Sequence, residues 1–313
     1  MKLVVQIPCL NEEKTLADVL KNIPKKIVGI DEIDILIIDD GSTDKTIEVA
    51  KAHGVRHFVI HAGNMGLARS FHDGVIRALE MGADIVVNTD GDNQYPQEKI
   101  GELVQPIVNG NAEIVVADRQ TSRIAHFSPT KKLLQRFGSF IVNLAAGTTL
   151  PDAASGFRAY SRESLLRLNI ITSFSYCMET IIQAGNKRLA ITSIPITTNQ
   201  KTRESRLFTS QWQHVRQSSS AIIRAYLMYK PHVIFVSLGV ILFVAGGFPF
   251  TRFIYLNIVD SGGRHIQSLL FGIVLLLASF LCFVLAILAD ILRTQRILIE
   301  ESIEQQKRLR FKK

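Results

Sequence analysis

Residues 33–44 read IDILIIDDGSTD, a short apolar run that ends in two aspartates, a glycine and small polar residues. The run is rich in β-branched residues and predicts a buried strand, while its polar end is typical of a turn that caps the next helix. The same order of strand, turn and helix recurs over the N-terminal part of the chain. Strands are predicted at residues 3–7, 33–38, 56–60, 85–89 and 113–117, and helices at residues 13–22, 67–81 and 96–108.

This alternation predicts an α/β domain whose mostly parallel sheet is covered by helices on both faces. Ligands bind such sheets at the carboxyl ends of the strands. Acidic residues directly follow three of the predicted strands: Glu12 with Glu13, Asp39 with Asp40, and Asp90 with Asp92. We therefore expect these carboxylates to converge at one edge of the sheet.

Residues 85–96 read IVVNTDGDNQYP and place two carboxylates, Asp90 and Asp92, one residue apart after a strand. This spacing lets two hard oxygen ligands share a divalent cation, which can in turn hold a diphosphate. Neither a G-x-G-x-x-G after the first strand nor a P-loop occurs, so the chain lacks those phosphate cradles. The alternative is that these residues form a purely structural turn.

The chain has 313 residues and a net charge of +8, much of it in the C-terminal tail. Aromatic residues do not interleave with the basic ones, so we expect a membrane surface as the partner and no nucleic acid. Cys9, Cys177 and Cys282 show no metal or disulfide spacing, which indicates a reducing compartment. The first apolar run stops at Pro8, too early for a signal peptide, so we expect a cytosolic N-terminus.

Two runs without charge, residues 233–251 and 266–289, are each long enough to cross a hydrocarbon core of about 30 Å. More basic residues flank this predicted hairpin than lie between its spans. The positive-inside rule therefore predicts an integral membrane protein with its N-terminal domain and both termini in the cytoplasm. The predicted segments are a domain at 1–208, an amphipathic juxtamembrane helix at 209–232, the transmembrane hairpin at 233–292 and a basic tail at 293–313.

The juxtamembrane helix either lies among lipid headgroups or packs on the N-terminal domain. The oligomeric state is open, and a homo-oligomer is one option.

Five motifs in this order resemble the family 2 glycosyltransferases, and among them the dolichol-phosphate mannose synthase-like polyprenyl-phosphate glycosyltransferases. They are PCLNEE at 8–13, DDGSTD at 39–44, DGDNQYP at 90–96, SGFR at 155–158 and ESRL at 204–207. The resemblance covers residues 1–230 and implies a GT-A fold, with a Rossmann-like, mostly parallel sheet. It also implies inverting transfer of a hexose from a GDP- or UDP-sugar to a dolichyl or undecaprenyl phosphate.

Carried onto this chain, the resemblance implies three groups of site residues. The nucleotide sugar would contact Pro8, Leu10, Glu12, Asp39, Asp40, Asp90 and Gly91. The metal ion, Mg²⁺ or Mn²⁺, would be held by Asp90, Asp92 and Gln94. The acceptor phosphate would contact Arg119, Ser155, Arg158, Arg203 and Arg206. The residues expected to be catalytic are Asp90, Asp92, Arg119 and Arg206.

The chemistry leaves several roles open. A phosphate monoester, with a second pKa of about 6, is largely a dianion at neutral pH and needs no general base to attack a sugar. Glu179 and Asp152 would each be a base for a hydroxyl acceptor, or would order a cation for a phosphate acceptor. Of the pair Asp39 and Asp40, one could cap a helix while the other binds ligand.

Two other functions compete with this hypothesis. One is a membrane transferase that acts on a glycan or another hydroxyl acceptor, although no Q-x-x-R-W motif of processive synthases occurs. The other is a non-catalytic scaffold, against which the intact set of Asp90, Asp92 and Gln94 argues.

Overall fold

The computed structural model describes residues 1–121, 129–170, 176–199, 231–259 and 266–312. These residues fall into two compact units, Met1–Ile223 together with Ile303–Lys313, and Arg224–Ser302. Arg203, Arg206 and most of the predicted juxtamembrane helix lie outside the described residues, so their predicted roles remain predictions.

A seven-stranded sheet forms the centre of the first unit. Its strands are β1 (Lys2–Cys9), β2 (Glu32–Asp39), β3 (His57–Ile60), β4 (Ile85–Asn88), β5 (Ile114–Asp118), β6 (Arg158–Ser161) and β7 (Ile191–Pro195). The strand order is β3-β2-β1-β4-β6-β5-β7, and β6 runs antiparallel to both of its neighbours. The predicted mostly parallel sheet is confirmed, and β6 and β7 are additions that the sequence pattern did not predict.

Helices cover both faces of this sheet. They are α1 (Leu16–Asn22), α2 (Thr46–Ala52), α3 (Leu67–Glu80), α4 (Ile100–Val108), α5 (Pro129–Ala146), α6 (Arg162–Arg167) and α7 (Tyr176–Asn186), with a 3-10 turn at Gln97–Lys99. Side chains alternate along β1, so Leu3, Val5 and Ile7 share one buried cluster with residues of α1 and α4. On the other face α3 lies close to β1, because a Cβ added at Gly74 would be 2.7 Å from Gln6 Oε1.

The second unit contains α8 (Pro231–Val259) and most of α9 (Ile266–Arg310). They have 29 and 45 residues, and most of their large apolar side chains are exposed. Both helices are long and apolar enough to span a membrane. The predicted basic tail is helical as far as Arg310 and continues α9 without a break.

Small residues bring α8 and α9 together. A Cβ added at Gly246 would be 3.0 Å from Gly272 O, and one added at Gly272 would be 3.0 Å from Gly246 O. About two turns further along both helices, Ser279 Oγ on α9 donates a hydrogen bond to Gly239 O on α8 at 2.7 Å. Close backbone approach and a serine bond between helices are typical of helix pairs in membranes.

The final turns of α9 belong to the first unit. Lys307 Nζ donates to Leu168 O at 2.6 Å, and Arg310 Nη2 contacts Glu80 Oε1 at 2.7 Å. Arg308 forms an ion pair with Glu163. These contacts lie where β4 begins and β6 ends, which is the opposite edge of the sheet from the carboxyl ends of β1, β2 and β4.

Candidate active site

Carboxylates from three strand ends meet around one buried thiol. Strand β1 pairs in parallel with β2 on one side and with β4 on the other, so their carboxyl ends share an edge. Burial raises the pKa of Cys9, and the carboxylates of Glu12, Asp39 and Asp90 raise it further. The acidic residues therefore converge at one edge of the sheet, as their positions after the strands predict.

Asp40 holds the loop that precedes α3. Its Oδ1 accepts hydrogen bonds from Met65 N and His61 Nδ1, both at 2.8 Å, and its Oδ2 accepts one from Gly66 N at 2.9 Å. Because Gly66 is the N-cap residue of α3, this carboxylate satisfies backbone donors at the start of that helix. The structure thus gives Asp40 a structural role in the loop before α3, and its predicted contact with the nucleotide sugar stays a prediction.

Asp39 is placed differently, although it too is buried. Its Oδ2 accepts a hydrogen bond from Ser42 N at 3.3 Å, whereas its Oδ1 has no partner among the residues that the structure describes. A buried carboxylate oxygen without a donor is costly unless a ligand supplies one. Of the two aspartates, Asp39 is therefore the one suited to bind a ligand.

The loop after β1 lies directly against the D-x-D segment. Thr15 Oγ1 donates to Gly91 O at 2.7 Å and lies 3.0 Å from Glu12 Oε2. A Cβ added at Gly91 would be 3.1 Å from Cys9 Sγ and 3.2 Å from Glu12 Cγ. Glycine at position 91 thus permits the close approach of these two segments, which include four predicted donor-site positions. Pro8, near the end of β1, and Leu10, the first residue after β1, lead into the same loop.

The D-x-D segment itself is a tight bend. Asp92 Oδ1 accepts a hydrogen bond from Gln94 N at 3.1 Å, and Asp92 Oδ2 accepts one from Gln94 Nε2 at 2.7 Å. Asn93 between them adopts the left-handed region with a φ of 58°. Asn199, after β7, donates from its backbone N to Gln94 O at 2.9 Å and from Nδ2 to Asn93 O at 3.0 Å. The bend is therefore held from both sides.

The predicted metal ligands form a set of hard oxygen donors. Asp92 and Gln94 are in direct contact, and rotation of the Gln94 carboxamide would exchange its nitrogen for its oxygen. Within the described ranges no group of three or more His, Cys, Asp or Glu side chains is arranged so that it could hold a metal ion by itself. The residues fit a divalent cation whose remaining ligands come from substrate phosphate and water, as Mg²⁺ prefers.

The SGFR motif passes beside Asp90. Gly156 N donates to Tyr95 Oη at 3.0 Å, and Gly156 O accepts from Asn88 Nδ2 at 3.1 Å. A Cβ added at Gly156 would be 3.5 Å from Asp90 Oδ2. This approach follows from the topology, because the antiparallel β6 begins where β4 ends. Burial, with a contribution from Asp90, raises the pKa of Tyr95, so its phenol remains protonated at neutral pH.

Arg119, directly after β5, forms a bidentate salt bridge with the buried Asp152. Its Nε contacts Asp152 Oδ2 at 2.6 Å, and its Nη2 contacts Asp152 Oδ1 at 2.9 Å. Burial alone would raise the pKa of Asp152, but the charge and hydrogen bonds of Arg119 hold it below its usual value. Nη1 of Arg119 makes no hydrogen bond to the part of the chain that the structure describes. Of the two roles left open for Asp152, this geometry favours the ordering of a cation.

Arg158 is fully buried and bonded to the protein itself. Its Nε donates to Ser155 O at 2.7 Å and its Nη2 to Ala153 O at 2.9 Å. Its Nη1 donates to Cys177 O at 2.8 Å and to Thr180 Oγ1 at 2.9 Å. The donors of Arg158 thus tie the SGFR segment to α7, and the contact with acceptor phosphate expected for it stays a prediction.

Two further predicted residues are also buried. Ser155 is fully buried, and its hydroxyl has no partner among the described residues. Glu179 lies on α7, where its Oε1 accepts from Gln183 Nε2 at 3.3 Å. The guanidinium of Arg158 bonds to Cys177 O and Thr180 Oγ1 in the same turn of that helix.

Sequence reasoning missed three residues that shape the site. Asn88 receives a hydrogen bond from Gln6 Nε2 at 2.9 Å and donates to Tyr176 Oη at 2.7 Å, which links β1, β4 and α7. Asn199 holds the D-x-D bend, as described above. An asparagine at the end of an apolar strand was the available signal for Asn88, whereas nothing in the local sequence marks Tyr176 or Asn199.

Replacing Asp152 by asparagine should lower the free energy of unfolding by about 3 kcal/mol at neutral pH, because Arg119 then loses its charged partner in a buried site. The folded-state pKa of Asp152 is depressed, so its contribution is present above the unfolded value of about 3.9 and is lost as pH falls through the folded value. The difference between wild type and Asp152→Asn should therefore shrink below about pH 4.

Denaturant unfolding at neutral and acidic pH measures this difference. The matched control is Asp18→Asn, an exposed aspartate on α1, which should change stability little. A stability difference for Asp152→Asn that stays constant with pH would contradict the assigned ion pair.

Comparison with known proteins shows which family the chain belongs to. The family model described as glycosyl transferase family 2 matches residues 4–168. A UDP-N-acetylglucosamine--dolichyl-phosphate N-acetylglucosaminyltransferase from Methanococcus voltae is 32% identical over 213 residues, which cover 61% of this chain and 83% of that protein. An undecaprenyl-phosphate mannosyltransferase from Micrococcus luteus is 26% identical over 207 residues, which cover 63% of this chain and 83% of that protein.

Among solved structures, glucosyl-3-phosphoglycerate synthase from Mycobacterium tuberculosis, in complex with Mn²⁺, UDP-glucose and phosphoglyceric acid, superposes with a TM-score of 0.54. The match has 23% identity and covers 72% of this chain and 79% of that chain, so it is evidence for the fold. Together with the observed sheet, it confirms the predicted GT-A fold. Because the family model matches more than half of the chain, the protein belongs to glycosyl transferase family 2 and is a glycosyltransferase.

Proposed function

We propose that this glycosyltransferase moves a hexose from a UDP- or GDP-sugar to a polyprenyl phosphate at the cytoplasmic face of a membrane, with inversion of configuration. One observation supports the proposal: Asp90 and Tyr95 lie side by side, because a Cβ built at Gly156 would be 3.5 Å from both Asp90 Oδ2 and Tyr95 Oη, and Arg119, held by Asp152, is near enough to Tyr95 to lower the pKa of its phenol. A carboxylate site for a cation-bound diphosphate therefore lies beside a guanidinium that suits a second phosphate. Relatives named for dolichyl-phosphate and undecaprenyl-phosphate substrates support this acceptor class.

The donor would bind where β1, β2 and β4 end. Asp39 Oδ1, which has no partner among the described residues, would accept a hydrogen bond from a ribose hydroxyl or a base N–H. Glu12 and Gly91, with Pro8 and Leu10, would line the same pocket. Asp90, Asp92 and Gln94 would hold Mg²⁺ or Mn²⁺, and a cation bound there would neutralise charge on the departing diphosphate. A fold relative crystallised with Mn²⁺ and UDP-glucose supports the choice of metal and ligand.

The acceptor would be oriented by Arg119. Its Nε and Nη2 are held by Asp152, which fixes the guanidinium plane and leaves Nη1 to donate to an acceptor phosphate oxygen. Arg203 and Arg206 are proposed as further phosphate contacts from outside the described residues. The acceptor oxygen forms a bond to the anomeric carbon while the bond to the nucleoside diphosphate breaks on the opposite face. The phosphate is already anionic, so no general base is required.

A transfer assay on the purified full chain tests this function. Radiolabelled UDP- and GDP-sugars are incubated with undecaprenyl or dolichyl phosphate and Mn²⁺, and the chloroform-soluble product is counted. We expect a labelled lipid that disappears with EDTA and does not form from the matched polyprenol, which lacks the phosphate. Label in water-soluble oligosaccharide would support the alternative hydroxyl acceptor, and no transfer from any donor would contradict the proposal.

Asn199→Ala should raise the Mn²⁺ concentration needed for half-maximal transfer by about tenfold, because residues that hold metal ligands in place typically contribute this much to affinity. The substitution removes the Nδ2 bonds to Asn93 O and Tyr95 O and leaves the backbone bond to Gln94 O in place. Measuring the transfer rate at increasing Mn²⁺ concentrations gives the half-maximal value for each variant. The control is Asn111→Ala, at an exposed position. An unchanged Mn²⁺ requirement in Asn199→Ala would show that the bend holds its shape without this side chain.

A further inference from the structure

Tyr95 belongs to the D-x-D segment, and its backbone, ring and hydroxyl all contact other segments of the site. Its backbone carbonyl accepts hydrogen bonds from Gln97 Nε2 at 3.0 Å and from Asn199 Nδ2 at 3.4 Å. Its ring stacks on that of Phe157, with the two ring centroids 5.2 Å apart. Its hydroxyl accepts a hydrogen bond from Gly156 N at 3.0 Å. Tyr95 therefore joins the segment of the predicted metal ligands to the SGFR segment.

The hydrogen bond between Tyr95 and Gly156 is shielded from water. Both residues are buried, and Phe157, on which the Tyr95 ring stacks, is fully buried. A buried backbone N–H needs an acceptor, and leaving it without one costs more than the bond itself contributes. The backbone at Gly156 is therefore expected to follow the position of the Tyr95 oxygen.

Groups from both proposed substrate sites lie close to this hydroxyl. A Cβ built at Gly156 would be 3.5 Å from Tyr95 Oη and 3.5 Å from Asp90 Oδ2. Burial raises the pKa of the Tyr95 phenol while the charge of Arg119 lowers it, so the guanidinium is also near. Ser155, a predicted acceptor contact, directly precedes Gly156. Movement of the phenol would therefore displace the acceptor segment relative to the metal ligands.

We infer that Tyr95 is a positioning residue, which fixes the spacing between the D-x-D cation site and the acceptor segment at Ser155 and Gly156. The inference rests on the proposed function, because that function places the donor diphosphate and the acceptor at these two positions. In this role the phenol acts through the Gly156 N–H and need not touch the reacting atoms. Correct separation of the reactants lowers the barrier, and a displacement of about 1 Å can reduce the rate roughly a hundredfold.

Tyr95→Phe tests this role, because it removes one oxygen and keeps the ring that stacks on Phe157. The purified full chain is assayed for transfer to polyprenyl phosphate at saturating donor and Mn²⁺. Intact donor sites are counted by calorimetry with Mn²⁺ and UDP or GDP, whichever nucleotide the wild type binds. The transfer rate is then expressed per nucleotide-binding site, so that unfolded protein is not counted as a loss of catalysis.

We expect the rate per site to fall about thirtyfold in Tyr95→Phe, with the Kd of the nucleotide changed by less than about threefold. The matched control is Ser164→Ala, which removes another buried hydroxyl, one that donates to Ser161 O at 2.8 Å at the opposite edge of the sheet. This control should keep the wild-type rate per site. A Tyr95→Phe enzyme with the wild-type rate per site would give Tyr95 a role in stability alone and overturn the inference.

Phe157→Leu gives a second test, because it loosens the Tyr95 ring and leaves its hydroxyl in place. The rate per site should fall about fivefold. The double variant should be about as slow as Tyr95→Phe alone, because both changes act through one contact. Losses that multiply fully would show that the two residues act independently and would contradict the inference. If Tyr95→Phe yields no nucleotide-binding protein, an unchanged rate per site in Phe157→Leu overturns it.

The same assay separates this inference from the proposed function. If wild type labels water-soluble oligosaccharide and no lipid, the proposed acceptor is wrong, and the rate per site measured on that product still tests Tyr95. If wild type transfers to neither acceptor, the proposed function fails and the positioning role fails with it.

Discussion

Asp92→Ala should reduce the transfer rate about a thousandfold, the loss expected when charge on a leaving group is no longer stabilised by a group placed for it. The substitution removes both oxygens that hold Gln94 and one of the two carboxylates available to a cation. Initial rates of lipid product at saturating donor measure the loss. Calorimetry with UDP and GDP, in Mn²⁺ and in EDTA, should show that wild-type binding depends on the cation and that the variant has lost this dependence.

The matched control for this result is Asp92→Asn. An asparagine can still accept the hydrogen bond from Gln94 N and so preserve the turn, but it carries no charge. We expect Asp92→Asn to melt at the wild-type temperature and yet to be nearly as inactive as Asp92→Ala. If Asp92→Asn keeps full activity, or if wild type works equally well in EDTA, the bend has no role in cation binding and the proposed donor site is wrong.

Arg158→Met should destabilise the glycosyltransferase domain by about 3–5 kcal/mol. Three backbone carbonyls and the hydroxyl of Thr180 now accept hydrogen bonds from this guanidinium. In the variant these buried acceptors would have no donor, and each unsatisfied group costs about 1–3 kcal/mol. Arg158→Lys should recover only part of the loss, because an ammonium cannot reproduce the planar fork that reaches both Ala153 and Cys177. Denaturant unfolding of the purified chain measures both variants.

The exposed Arg77→Met on α3 is the control, since its ion pair with Glu80 is on the surface and should contribute about 1 kcal/mol or less. The same experiment separates the two roles considered for Arg158. A residue that binds acceptor phosphate would, when replaced, raise the KM for polyprenyl phosphate without changing stability. That outcome would restore the contact expected from the SGFR motif and would contradict the structural role assigned here.

Local sequence patterns were enough to predict most of the strands and helices of this protein. The strand predicted at residues 33–38 is β2 at Glu32–Asp39, and the helix predicted at 67–81 is α3 at Leu67–Glu80. Periodicity and turn chemistry act over a few residues, so they can be read without knowledge of the fold. The same holds for the spacing of Asp90 and Asp92 and for the two apolar runs at residues 233–251 and 266–289, which lie within the longer helices α8 and α9. Strand β6 escaped prediction because it has only four residues and runs directly into α6, which leaves little periodic signal.

The roles of individual polar residues were decided by the tertiary structure. Asp39 and Asp40 are neighbours in the sequence, yet Asp39 keeps an oxygen with no partner in the described part of the chain, while Asp40 binds the loop before α3. Arg158 belongs to a motif that implied phosphate binding, but α7 supplies partners for its guanidinium from 19 and 22 residues away. A hydrogen bond forms only when donor and acceptor come within about 3 Å. Which distant segments achieve that distance depends on how the sheet and helices pack, and no local pattern encodes it.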